Sequence, residues 1–320
     1  MVVANTEQPQ PLDRTPPSTT SKKNTAILYR MYKARWIYVA LIPSFALLAV
    51  FKLYPAIDAI VKSFYFWKTS NLALIRFVGF DNYAKLLGDK DFWTSFGTLS
   101  IFLVWGFITT FAVVMPVTYL VFKLGEGRWG KFVQRMYVIP MMVPAMVGTL
   151  YWRFFFEYNF GILNTGLRGL GLESLTHVWL GEKATALPAL LFMGFPWVGG
   201  FGFLILLAGF QGIDEALHEA AQLDGASPWQ IFLRVDVPLI VPQARLLIIL
   251  GMISGIQQFG TQMIMTNGGP AGSTTVPGLI MYKTAFTYSN LGYGTTMGVA
   301  LFAIIMVITL FLNKYVRRMD

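Results

Sequence analysis

The sequence has no cysteine, which excludes disulfides, thiolate metal sites and cysteine nucleophiles. Charge is scarce: 13% of the 320 residues are charged against 55% hydrophobic, a balance that a water-soluble domain of this size does not sustain. Of the two histidines, His177 and His218, neither has a second histidine or a carboxylate at metal-ligand spacing, so both are expected to be exposed loop residues. No G-x-x-x-x-G-K-[ST] phosphate loop, nucleophile elbow, catalytic carboxylate pair or zinc motif occurs, so enzymatic chemistry and ATP hydrolysis are not expected on this chain. Residues 1–35 lack the apolar core and cleavage pattern of a secretory signal; Pro9, Pro11, Pro16 and Pro17 interrupt a Thr/Ser-rich run that reads as a disordered tail.

What the sequence does have is long apolar runs. A hydrocarbon core about 30 Å thick needs roughly 20 apolar residues per helix. Six stretches qualify: approximately 36–54, 97–122, 136–156, 186–210, 246–265 and 295–312. The chain is therefore read as all-α and polytopic, with residues 36–320 forming a six-helix membrane domain. The net charge of +9 does not signal nucleic acid, because the basic residues flank apolar segments instead of joining an aromatic platform. Arg14, Lys22, Lys23, Arg30, Lys33 and Arg35 precede the first stretch, Lys123, Arg128, Lys131 and Arg135 follow the second, and Lys314, Arg317 and Arg318 follow the sixth. This bias places both termini in the cytoplasm.

Between the outer segments, FVGFDNYAKLL at 77–87 offers Gly79, Asp81 and Asn82 as turn and cap chemistry within a loop spanning 56–92. Pro116, Pro140 and Pro144 predict kinks in the second and third spans. In GFPWVGGFGF, residues 194–203, Pro196 and the glycines permit close helix packing or, alternatively, ligand contact.

The segment at about 211–243 is too long and polar for a simple membrane connector. Asp214 is placed to cap a helix running to Leu223, Asp224-Gly225 to end it, and Ser227-Pro228-Trp229-Gln230 to open a second helix with a capping box. Ala220, Ala221 and Ala226 allow close approach, and Leu217, Ile231, Phe232 and Leu233 offer apolar anchors. Composition alone leaves two readings open, a helix pair lying on lipid or a docking device for a soluble partner. Asp214, Glu215, Glu219, Asp224 and Asp236 would repel anionic lipid and so favour the partner.

Glu219-Ala220-Ala221, Gly225, Val235 and Val237-Pro238 resemble the docking loop of permease subunits of binding-protein-dependent ABC importers. Two apolar positions depart conservatively from the family's isoleucine and leucine. Thr266, Gly268, Gly269, Pro270, Tyr282, Ala285 and Phe286 are similar to a segment of the carbohydrate permeases, the maltose and sn-glycerol-3-phosphate type. The alternative reading of that segment is a tight exposed turn. The resemblance implies a bacterial or archaeal cell-membrane protein working with a sister permease, two ATPase subunits and an extracytoplasmic solute-binding protein. No cofactor is implied on this chain, ATP and Mg belonging to the ATPase. Glu219, Ala220, Ala221, Asp224, Gly225, Ala226, Phe232 and Pro238 would form the coupling element, with Glu219 pairing with an arginine of the ATPase.

Polar side chains at bilayer depth face a cavity or one another. Gly251, Ser254, Gly255 and Gln258 recur at helical spacing, with Gln257 and Gln262 nearby, and make the candidate solute stripe, since carboxamides both donate to and accept from hydroxyls. Interhelical hydrogen bonding explains the glutamines equally well. Phe195, Trp197, Val198 and Phe201 are candidate stacking surfaces for a sugar ring, with packing or an interfacial belt as the alternative. The competing function is an ion-coupled secondary transporter, which would carry intramembrane Asp, Glu or His; the apolar stretches hold scarcely any.

Overall fold

The computed structural model describes residues 34–68, 71–125, 127–197 and 200–316. Nearly all of the expected tail, together with Val198, Arg317 and Arg318, lies outside the described residues. The chain divides into two units, 1–58 and 59–320. Helix α1, Arg35–Lys62, opens in the first unit, has no buried residue, and runs on past the expected end at Tyr54.

A recurring local device explains why prolines do not end these helices. Pro55, Pro116 and Pro238 each stand two residues beyond a π-helical turn, at Ala49–Leu53, Thr110–Val114 and Phe232–Asp236. A proline donates no N–H and its ring collides with the carbonyl four residues earlier. The wider π turn moves that carbonyl aside, so the helix continues where a kink is expected.

The second unit begins with a hairpin, β1 (Tyr65–Lys68) paired antiparallel with β2 (Asn71–Phe77), Tyr65 opposite Phe77. The loop reading of 56–92 has no such hairpin; its aromatic and branched residues favour strand over coil. Gly79 turns the chain at φ +55° into α2, Asp81–Leu87. Asn82 does not cap that helix. It is buried and donates to the carbonyls of Ser63 (2.9 Å) and Tyr65 (3.0 Å). Thr296 donates to the same Ser63 carbonyl (3.0 Å), so one asparagine ties the hairpin's entry to α2 and the last helix. Asn82→Ala removes the side-chain donor to the Tyr65 carbonyl and leaves Ser63 O to Thr296 alone, a loss of about 1–3 kcal/mol. A melting temperature several degrees lower in detergent is expected, and an unchanged one would contradict this role.

There follow α3 (Lys90–Lys123), α4 (Arg128–Met142), α5 (Ala145–Phe155), α6 (Ile162–Gly169), α7 (Lys183–Phe192) and α8 (Gly200–Gln211). The remaining helices are α9 (Glu215–Leu223), α10 (Pro228–Leu239), α11 (Val241–Gln257), α12 (Gly260–Met265), α13 (Pro277–Tyr282) and α14 (Leu291–Val316). Helix dominates the described residues. By length and composition, three helices, α1, α3 and α14, can cross a bilayer unbroken, and the count rises to as many as six where each of three bent pairs serves as one span.

The breaks correct the expected spans. The third turns by 92° between α4 and α5, because Pro144 takes an extended backbone at the start of α5. The fourth, expected to be continuous over 186–210, is two helices. α7 stops at Phe192, Gly194 (φ +81°) and Trp197 (φ +57°) are left-handed, and Pro196 lacks an N–H. The fifth ends at Gln257, where Gln258 turns extended, and α12 resumes at Gly260.

Helix α3 is the post on which the unit is built. Near one end Val114, Tyr119 and Val121 pack with Phe203, Leu206 and Phe210 of α8 and with Phe232 and Ile240 of the following loop. Near the other, Phe92 and Leu99 pack with Leu279, Tyr293, Met297 and Leu301.

Candidate functional site

Helix α8 bends 66° into α9, and α10 bends 63° into α11, so the helix pair between them lies across these helices. Each local signal in its sequence is realised. Asp214 accepts from the Ala216 N–H at 3.0 Å. At the other end Gly225 adopts φ +79°, its N–H meets Gln222 O at 3.0 Å, and the Ala226 N–H reaches back to Ala221 O at 3.0 Å. Only glycine takes that backbone without strain. Ser227 and Gln230 close the reciprocal capping box, Gln230 Oε1 accepting from Ser227 N at 2.8 Å, with Pro228 in the first turn.

The pair has a free face and a held face. Glu219, Ala220, Asp224, Gly225 and Pro238 are exposed, and Ala221 and Ala226 half-buried. Among the described residues Glu219 makes no hydrogen bond or ion pair, and no atom lies within 4 Å of where a side chain on Gly225 would start. Leu223, 89% exposed, and Trp229 extend this face.

Three expectations are corrected on the other side, and a fourth, for His177, outside the pair. Ile231 and Phe232 are buried, so they anchor the pair to its own bundle and offer a partner nothing. Phe232 lies 4.4 Å from the Tyr119 ring of α3. Asp236 is fully buried and cannot repel lipid. His218 is buried as well, with Nε2 2.5 Å from Asp236 Oδ1. His177 is only half-exposed and meets Glu182 Oε2 at 3.1 Å. Phe232 and Asp236 stand four apart on one helical turn, a spacing that signals their shared face.

A second site lies between α3 and α11. Gly251, Ser254, Gly255 and Gln258, with Gln262 of α12, line a cavity of about 380 Å³ walled by Phe102, Leu103 and Phe107 of α3. The polar stripe thus faces a single space. Its glycines set the helix separation: a Cβ on Gly255 would stand 2.5 Å from Leu103 Cδ2. Ser254 donates to Leu250 O at 2.6 Å and Gln258 to Thr261 Oγ1 at 3.0 Å. Gln262 Oε1 is buried with no hydrogen-bond partner among the described residues.

Gln257 is exposed and absent from this wall. Phe195, Trp197 and Phe201 are also absent from it, because the break in the fourth span turns them elsewhere. Trp197 is occupied in closing that break. Its Nε1 and that of Trp105 both donate to Leu191 O, at 3.1 and 2.8 Å. Phe195 stacks on Phe192 at 5.1 Å. Phe102 and Phe107, which sequence reasoning missed, supply the aromatic surface instead.

Near the cavity, the Thr266–Pro270 segment is a turn tied by threonines. Thr274 Oγ1 lies 2.6 Å from Thr266 Oγ1 and donates to Gly269 O, and Thr275 donates to Gly268 O at 2.8 Å. Ala285 is buried, and Tyr282 packs between Phe259 and Phe286.

Comparison with known proteins bears on both sites. Residues 122–320 match the family described as binding-protein-dependent transport system inner membrane component. The sulfoquinovosyl glycerol transport system permease protein of Agrobacterium fabrum is 29% identical over 283 residues, 88% of this chain and 90% of that protein. The trehalose/maltose transport system permease protein of Thermococcus litoralis is 30% identical over 283 residues, 87% and 91% of the two. The fold is similar to that in a crystal structure of a bacterial alginate ABC transporter in complex with an alginate pentasaccharide-bound periplasmic protein. There the TM-score is 0.77 at 20% identity, covering 91% of this chain and 96% of that one.

Proposed function

The chain belongs to the family of binding-protein-dependent transport system inner membrane components, and we propose that it is the permease subunit of an ATP-driven importer for a mono- or oligosaccharide or a related polyol. The observation that carries this reading is the two-faced helix pair α9–α10. It is held from beneath by Ile231, Phe232 and Ile240 and free along Glu219, Ala220, Asp224 and Gly225. A rigid, acidic, open edge of this kind suits insertion into a groove of a separate ATPase, with Glu219 meeting a cation there. Ala221, Ala226 and Pro238 complete the coupling element, and Phe232 backs it from below. ATP and Mg then act on the partner, and both termini of this chain, with the helix pair, face the cytoplasm.

The carbohydrate assignment draws on the two relatives, named for a glycoside and for disaccharides, and on the cavity. Phe102 and Phe107 give flat apolar wall, while Gln258 and the unsatisfied Gln262 Oε1 give hydroxyl-matching groups and Ser254 leaves the space between them open. A sister permease closes the pathway, and solute arrives on an extracytoplasmic binding protein. The test is isolation of the tagged chain from its native membrane in mild detergent. A nucleotide hydrolase and a second permease are expected to co-purify in fixed ratio, and isolation of this chain without either would overturn the reading.

A further inference from the structure

A buried polar pair lies beneath the exposed edge of the helix pair. His218 lies on the partner-facing helix α9 and Asp236 on α10, 18 residues later. His218 is 8% exposed and Asp236 not at all, and Nε2 of the one lies within hydrogen-bond distance, 2.5 Å, of Oδ1 of the other. Two further residues of α3 close around it: Phe122, whose ring lies 6.3 Å from the imidazole, and Tyr119, whose hydroxyl faces the Asp236 carboxylate. Among the described residues, neither the Tyr119 hydroxyl nor Asp236 Oδ2 has a formed hydrogen bond.

Burying such a pair is a poor route to stability, since an apolar pair of similar volume commonly serves as well or better. A fixed geometry between the two elements is what it offers. The other ties of α9 to the loop include the glycine-terminated turn at Gly225 and the entry at Asp214, both hinge-like. Resting on the proposed coupling role, we infer that His218 and Asp236 are positioning residues, an internal clasp. They make α9 and α10 move as one body and pass a push on the exposed Glu219 edge to α3 and, through α10, to α11. Both receiving helices wall the cavity, so a displacement of the clasp reaches the solute pathway.

The test uses the assembled transporter in proteoliposomes and reads solute molecules taken up per ATP hydrolysed, a ratio that a lower yield of folded protein does not change. His218→Phe keeps the ring packing on Phe122 and deletes the bond. Its complex is expected to form and hydrolyse ATP, with the ratio lowered at least about tenfold, which corresponds to about 1.4 kcal/mol of lost coupling. His218→Gln and Asp236→Asn, which retain a donor–acceptor pair, are expected to stay within about twofold of wild type. An unchanged ratio in His218→Phe overturns the clasp, as does loss of complex in parallel with uptake in the conservative variants. Should His218→Phe not assemble, the ratio is read on His218→Asn, polar but too short to span the gap, and an unchanged value there is equally fatal. Failure of the coupling reading itself would show earlier, as a wild-type chain that recruits no ATPase.

Discussion

Glu219→Ala is expected to lower ATP-driven uptake about tenfold or more while the chain still inserts and folds. The carboxylate is exposed, caps nothing and pairs with nothing among the described residues, so its removal costs the isolated subunit little. In the proposed docking role it makes a charge-assisted contact across the interface, worth about 1.5–3 kcal/mol, and each 1.4 kcal/mol is a factor of ten in affinity. Gly225→Pro is the harsher version. Proline holds φ near −65° where the chain needs +79°, and it deletes the N–H that closes on Gln222 O. The end of α9 is then re-aimed and uptake abolished. Uptake, co-purified hydrolase and elution volume measured together check both variants. Wild-type uptake in either contradicts the docking role, and a shifted elution volume in Glu219→Ala contradicts its purely interfacial character.

The second large effect concerns the cavity. Ser254 faces it and spends its hydroxyl on Leu250 of its own helix, so Ser254→Ala removes no tertiary contact and is expected to transport normally. Ser254→Trp drives an indole into a space of about 380 Å³ opposite Phe107. Uptake is expected to fall more than tenfold while hydrolase recruitment, proposed for the helix pair that precedes α11, is unaffected. Loss of uptake and recruitment together would mean that the substitution acts on folding, and transport at the wild-type rate would remove the cavity from the pathway.

The parts of this architecture that sequence makes legible are those decided within a few residues. Asp214, the Gly225 stop and the Ser227–Gln230 box are all interactions between neighbours in the chain, and their residue types allow few alternatives. The stripe from Gly251 to Gln258 is legible for the same reason, since helical periodicity alone puts those positions on one face. What escapes depends on distant partners. An apolar residue such as Phe232 reads the same whether it faces a foreign groove or Tyr119, and only the fold decides. His218 and Asp236 are individually ordinary until a turn at Gly225 folds them together. At the gap in the fourth span, Trp105, from a different helix, joins Trp197 in donating to the freed Leu191 carbonyl, and no local pattern announces the distant partner. The same gap moves Phe195, Trp197 and Phe201 away from the cavity, handing its aromatic wall to Phe102 and Phe107.

The most direct test of the whole account is the energy source of transport. Proteoliposomes holding this chain with its co-purified subunits, loaded with ATP and Mg and given solute-charged binding protein outside, are expected to accumulate solute. Collapse of all ion gradients by ionophores should leave the rate unchanged, and substitution of ATP by a non-hydrolysable analogue should stop it. Accumulation driven by a proton or sodium gradient through this chain alone, with no nucleotide present, would contradict the account.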